Sequence, residues 1–182
     1  MIRVPFEEMT KELERILASS GFDKDRAHLC ATIFAETTRD GVYSHGIMRF
    51  PYFLKSFSGK ADVNAPPERV GSIGVIEQWD GHRGPGTLNA HAAMNRAIEI
   101  ASENGMGCVA LRNTSHWMRA GTYGLVAADA GYIGICWTNT TKLIPPYGSD
   151  ERKVGNNPLV IAIPRKEGPF LLDMAMSQFA NG

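Results

Sequence analysis

Gly107-Cys108-Val109-Ala110-Leu111 is a short, wholly apolar run that ends abruptly in a polar loop, Arg112-Asn-Thr-Ser-His-Trp-Met-Arg119. An apolar run of this length without polar alternation reads as a strand covered on both faces. The pattern then recurs. Thr122 to Ala130 is a small Ala-rich helix, and Tyr132-Ile-Gly-Ile-Cys-Trp137 is another apolar strand. After a long loop containing Pro145-Pro146 come Pro158-Leu-Val-Ile-Ala-Ile-Pro164 and Phe170-Leu-Leu-Asp-Met174. Apolar strands alternating with helices predict an α/β fold with a mixed sheet.

Upstream of this alternation, a helix is expected from about Thr87 to Glu103, stopped by Asn104-Gly105 and fed by the loop Asp80-Gly-His-Arg-Gly-Pro-Gly86. Arg69 to Trp79 reads as one or two strands with a bend at Ser72-Ile73-Gly74, and the polar stretch Ser58 to Pro67 as a connection. The first sixty residues form a helical layer. Phe6, Met9, Leu13, Ile16 and Leu17 make one stripe ending at Gly21; Asp23 caps a second helix that turns Ala27, Cys30, Ile33 and Phe34 inward. The expected division is a helical segment over 1–60 carrying His45, and a partial α/β cofactor and substrate domain over 68–182. The segment from Ser177 should lead into a covering helix that the remaining residues are too few to form, so the fold is expected to be incomplete.

Nineteen basic and nineteen acidic residues cancel, and no basic block stands out, so nothing recommends nucleic acid or an anionic membrane as partner. The N-terminal residues show no apolar signal-peptide core and no run is long enough to span a bilayer. Cys30, Cys108 and Cys136 are widely spaced, which fits buried free thiols in a reducing cytoplasm.

Two stretches concentrate chemistry. In Gly41-Val-Tyr-Ser-His-Gly-Ile-Met-Arg-Phe-Pro51, Ser44 is a good N-cap for a third helix, which would put His45 and Arg49 four residues apart on one face. Arg holds a carboxylate and His passes a proton, the pair that a small keto or hydroxy acid needs. The loop after Leu111 adds His116 between an aromatic wall, Trp117, and a cation, Arg119, at the end of a strand, where α/β sheets bind ligands. A Ser-His pair at a helix start and a solvated loop histidine are the plainer readings of each stretch alone. His28, His82 and His91 receive no role. No metal site is expected, because no ligand-spaced His, Glu or Cys set occurs. Gly81-x-x-Gly84-x-Gly86 lacks the dinucleotide fingerprint spacing and reads as a turn. Gly155-Asn-Asn-Pro158 suggests a tight turn whose amides support the backbone or meet a ligand. Asp173 inside an apolar strand needs a partner: a helix N-terminus, an Arg, or a hydroxyl-rich ligand such as ribose.

The set Gly41-Val-Tyr-Ser-His-Gly46 with Arg49-Phe-Pro51, Ile76-Glu-Gln-Trp-Asp80, Val109-Ala-Leu-Arg-Asn113, His116-Trp-Met-Arg119, Gly131 to Asn139, Asn157-Pro158 and Asp173-Met174 resembles the type-2 malate/lactate dehydrogenase family. Members of that family interconvert 2-hydroxy and 2-keto acids with NAD or NADP on a non-Rossmann fold. The resemblance covers essentially the whole chain and implies a sulfolactate/malate dehydrogenase-like α/β architecture with NAD, or NADP, as cofactor. It implies that His45 donates a proton to the substrate carbonyl and that His116 is a second acid–base residue; which of the two donates stays open at this point. Arg49 as carboxylate clamp follows from its charge and spacing. The resemblance further implies that Asn139 contacts the nicotinamide cofactor, and that Pro169, Phe170, Leu171, Leu172, Asp173, Met174 and Ala175 form a cofactor-binding segment. A keto or hydroxy acid of the sugar-acid type is the implied substrate, a second copy of the chain the implied partner in a homodimer, and the cytoplasm the implied location. Relatives continue well past Gly182, so the alternative is an inactive remnant serving as a binding or interaction module. A hydrolase or metal-dependent lyase built on His45 and His116 lacks both a nucleophile motif and ligands.

Overall fold

The computed structural model describes residues 3–57 and 62–177, and contacts divide the chain into two compact units that meet between Arg119 and Ala120. The helical layer and the first sheet therefore share one unit, and the boundary does not fall in the Ser58–Pro67 connection. The helix expected beyond Ser177 lies outside the described residues.

The first unit begins with α1 (Phe6–Ser19), α2 (Lys24–Arg39) and α3 (Phe50–Phe57). The apolar stripe of α1 buries Leu13 and Leu17, and Gly21, at φ +94°, ends the helix in a conformation that a side chain would strain. The inward residues of α2 are Ala27, Cys30, Ile33 and Phe34, all buried as their spacing requires. Phe34 of α2 meets Phe50 and Phe53 of α3 edge to face, with ring centroids 5.1 and 5.0 Å apart. Asp23 stands at the N-terminus of α2 without capping it through its side chain; its own N–H donates to Asn64 Oδ1.

β1 (Glu68–Ile73) and β2 (Ile76–Asp80) form an antiparallel hairpin through Gly74, α4 (Gly86–Asn104) follows, and β3 (Cys108–Arg112) returns parallel to β2. The sheet order β1-β2-β3 is thus mixed. Beneath it Glu77 is buried as an anion: Arg96 donates to both its oxygens, and Arg69 and the Trp79 indole donate as well. These donors hold its carboxyl down at about 2.

The second unit contains α5 (Gly121–Asp129), β4 (Gly134–Trp137), β5 (Leu159–Ile163) and β6 (Phe170–Met174) in an antiparallel sheet of order β4-β5-β6. Gly124 lets α5 lie close on Val160 and Ala162, and Gly134 lies against Ala127. The register puts Ile135, Trp137, Leu159, Ile161, Ile163, Phe170, Leu172 and Met174 on the opposite face. Trp137 is 65% exposed and Phe170 52% exposed. Continuous apolar runs predicted strands covered on both faces; among the described residues this sheet is covered on the α5 face alone. No helix among the described residues is long and apolar enough to cross a membrane.

Candidate active site

Within the first unit, the stretch that begins two residues after α2 does not form the expected helix. Ser44 to Arg49 runs as consecutive turns, and α3 starts only at Phe50. The cause is Gly46, which presses on α2. A Cβ there would overlap Thr38 Oγ1 and come within 3.0 Å of Thr38 N. Thr38 Oγ1 accepts the Ile47 N–H at 2.9 Å while donating to Phe34 O. This sideways bond replaces the one that a helix would supply. Ser44 is consequently no N-cap: its hydroxyl lies 2.9 Å from His45 Nδ1. Nor do His45 and Arg49 share a helical face; Arg49 lies over the Tyr52 ring, 5.7 Å from its centroid.

The loop after β3 is fixed by a second set of contacts. Asp80 accepts from Arg112 Nε, Asn113 Nδ2 and the His82 N–H, and these donors hold its carboxyl below the usual range. The loop Gly81–Gly86 interlocks with it: Gly81 N–H donates to Arg112 O, Arg83 N–H to Asn113 O, Ser115 N–H to Gly84 O, and Gly86 N–H to Ser115 Oγ. Buried Asn89 donates to both Gly81 O and Thr114 Oγ1. The glycines Gly81, Gly84 and Gly86 thus serve a backbone crossing, in keeping with the turn reading. His82 and Asn113 both have φ +50°.

His116 comes out of this loop with its ring centroid 5.7 Å from that of His45 and the planes at 39°. Its Nδ1 accepts the Met118 N–H at 2.9 Å. Met118 holds φ +64°, a left-handed conformation that costs roughly 1–3 kcal/mol in a residue with a side chain. Its side chain is buried in the core cluster with Leu13, Phe34 and Phe53, and that burial offsets the strain by roughly 1.5–3 kcal/mol. His116 is an exposed residue, yet enough protein surrounds its ring to disfavour the charged form. That crowding first, then His45 and Arg49, pushes its pKa down to about 4. Arg119 Nη1 bonds Asp40 Oδ2, just past the end of α2, which ties the loop to the start of the His45 turns.

The structure therefore brings His45, His116 and Arg49 together in one unit. Asn139 and Pro169–Ala175 belong to the other. There Asn139 lines an open cleft of about 560 Å³ with Trp137, Thr138, Asn157, Pro158, Leu159 and Met176. The turn Gly155–Pro158 supports backbone as expected: Asn157 Oδ1 accepts the Thr140 N–H, and Asn156 Oδ1 accepts from Thr140 Oγ1. Asp173 Oδ2 accepts the Gly121 N–H at the start of α5, the helix-terminus role among those open to it. Among the described residues no three His, Cys, Asp or Glu gather as metal ligands. Sequence reading missed Met118 and Asp40. A left-handed methionine carries no local signal, and Asp40 finds its partner 79 positions away.

The sequence pattern of the malate/L-lactate dehydrogenase family matches residues 4–182. The chain belongs to that family of oxidoreductases. It is 49% identical to 2,3-diketo-L-gulonate reductase of Escherichia coli O139:H28, an alignment covering all of this chain and 54% of that protein. Malate dehydrogenase from Pyrococcus horikoshii superposes with a TM-score of 0.94 at 34% identity, covering 99% of this chain and 52% of that one. Sulfolactate dehydrogenase from Methanocaldococcus jannaschii gives a TM-score of 0.92 at 32% identity, over 98% of this chain and 52% of the other. The chain thus spans about half the length of the relatives it matches.

Proposed function

We propose that this chain carries the proton-transfer and substrate-orienting residues of a nicotinamide-dependent 2-keto acid reductase, with 2,3-diketo-L-gulonate reduced to 3-dehydro-L-gulonate. The observation that carries the reading is the meeting of two imidazoles and a guanidinium from separate stretches of sequence. The substrate is suggested by the relative that is 49% identical.

His45 is the proton donor in this reading. Ser44 engages its Nδ1, and in this reading the proton reaches the substrate oxygen from Nε2. His116 is held below neutrality by its surroundings and by an accepting Nδ1, so it stays uncharged and donates a hydrogen bond from Nε2. Arg49 holds the carboxylate. A nicotinamide, NAD with NADP as the alternative, would supply the hydride when bound. His45 gives its proton to the carbonyl oxygen as that oxygen becomes an alkoxide, and returns to neutral imidazole.

Asn139 and the segment Pro169–Ala175 are the cofactor side. The cleft beside Asn139 fits a flat ring, being lined by Trp137, Pro158, Leu159 and Met176 with two asparagines at hand. Among the described residues none that lines it is a cation, so it suits a ring rather than a diphosphate. β6 turns Phe170, Leu172 and Met174 to the open face and Leu171 and Asp173 toward α5. Only the first three can therefore meet a ligand lying on that face. A cytoplasmic homodimer completes the proposal, supported by three free cysteines and by the open apolar face of β4-β5-β6.

The test is to mix the chain with NADH or NADPH and 2,3-diketo-L-gulonate and to follow loss of the reduced nicotinamide absorbance. Turnover is expected, with His45→Ala lowering it by roughly 10²–10⁴-fold at unchanged circular dichroism. A wild-type chain that is folded yet consumes no nicotinamide, or His45→Ala at near wild-type rate, overturns the reading.

A further inference from the structure

The geometry points to Met118 as a positioning residue that fixes which nitrogen of His116 carries the proton. A neutral imidazole has one donating and one accepting nitrogen, and the two tautomers are close in energy in water. Here the Met118 N–H, a donor with no other option, lies 2.9 Å from His116 Nδ1. Nδ1 must therefore accept, and the proton sits on Nε2. Protonating Nδ1 sets two donors against each other, so the same amide opposes the imidazolium. The two cationic neighbours, His45 and Arg49, act in the same direction.

The amide reaches back over only two residues, and the chain then leaves it through a left-handed Met118, at φ +64°. Two anchors on either side of the backbone hold it there. The Met118 side chain is 5% exposed within the helical core. Arg119, the next residue, is pinned to Asp40. Nothing in the local sequence demands this conformation; glycine would adopt it without strain, and a methionine is instead held in it by burial. The device deepens the reading of His116 as the uncharged donor beside His45 and rests on it for its use in catalysis, although its geometry is independent of any substrate.

Nuclear magnetic resonance of the 15N-labelled chain, without cofactor or keto acid, tests it directly. The expected result is an unprotonated His116 Nδ1, a protonated Nε2, and a through-hydrogen-bond coupling between the Met118 amide nitrogen and His116 Nδ1. Met118→Gly, which tolerates the left-handed backbone, should keep the coupling. Met118→Val, whose branched side chain resists that backbone, should weaken it and shift His116 toward a tautomer mixture. A wild-type His116 with its proton on Nδ1, or without the coupling, overturns the proposal whatever the variants do. If the coupling is present while His116→Gln turns over keto acid at the wild-type rate, the positioning stands and the catalytic use of His116 fails.

Discussion

Arg119 and Asp40, 79 residues apart in sequence, are joined by a hydrogen-bonded ion pair, with the Arg119 side chain only 12% exposed. The pair fastens the loop that carries His116 to the end of the helix that precedes His45. Arg119 was expected to offer a cation to a ligand; here its Nη1 is committed to Asp40.

Removing one partner leaves the other charge half-desolvated. Arg119→Met should cost about 1.5–3 kcal/mol, the range for hydrogen bonds to charged groups. Asp40→Asn should cost less, since an amide still accepts from Arg119. The double variant Asp40→Asn with Arg119→Met should be less destabilised than the sum of the two. Urea unfolding of the four chains measures this; strict additivity would show that the pair does not couple.

Two groups set opposite ends of the acid response. The surroundings of His116 push its pKa down to about 4 in the fold, from an ordinary 6.5 when unfolded. Between those values the unfolded chain binds the extra proton, so stability falls as pH drops from about 6.5 to 4. Glu77 has its pKa lowered from 4.5 to about 2. Its contribution is full above 4.5 and is lost as pH falls toward 2. His116→Gln should flatten the upper part of a stability–pH curve and Glu77→Gln the lower part. Slopes left unchanged in those windows would refute the two assignments.

Gly86 opens α4 where the two interlocked loops cross. A Cβ there would overlap Ser115 O and come within 2.6 Å of His116 C and O, all backbone atoms that cannot swing aside. Gly86→Ala should therefore destabilise by several times the ~1 kcal/mol typical of point changes and displace His116. A melting temperature within a degree or two of wild type would contradict this.

The thiols should differ in reactivity. Burial pushes Cys30 and Cys136 up to about 12, while Cys108 is half-buried. A thiol reagent at neutral pH should modify Cys108 first and the other two only on unfolding. Early loss of Cys30 would indicate that the α2 core opens readily.

The sequence was most legible where a single period governed. The helices ending at Gly21 and Gly105, the hairpin around Gly74 and the strands from Cys108 to Met174 follow local apolar spacing and glycine stops. It failed at Ser44, whose capping signal is sound locally but loses to Gly46 packing on Thr38. The nearness of His45 and His116 was suggested by resemblance alone, since 70 intervening positions leave no trace in spacing. The cysteine runs were read as buried throughout, yet Cys108 sits on a sheet with one partly open side.

Thr38 carries one more consequence. The Ile47 amide sits in an exposed turn, but its hydrogen is held by a hydroxyl rooted in α2. That amide should trade its hydrogen for deuterium at the slow pace of α2 rather than at the rapid pace of surface turns. The turn that carries His45 would then have no private motion: His45 would shift only when the helix beneath it breathes.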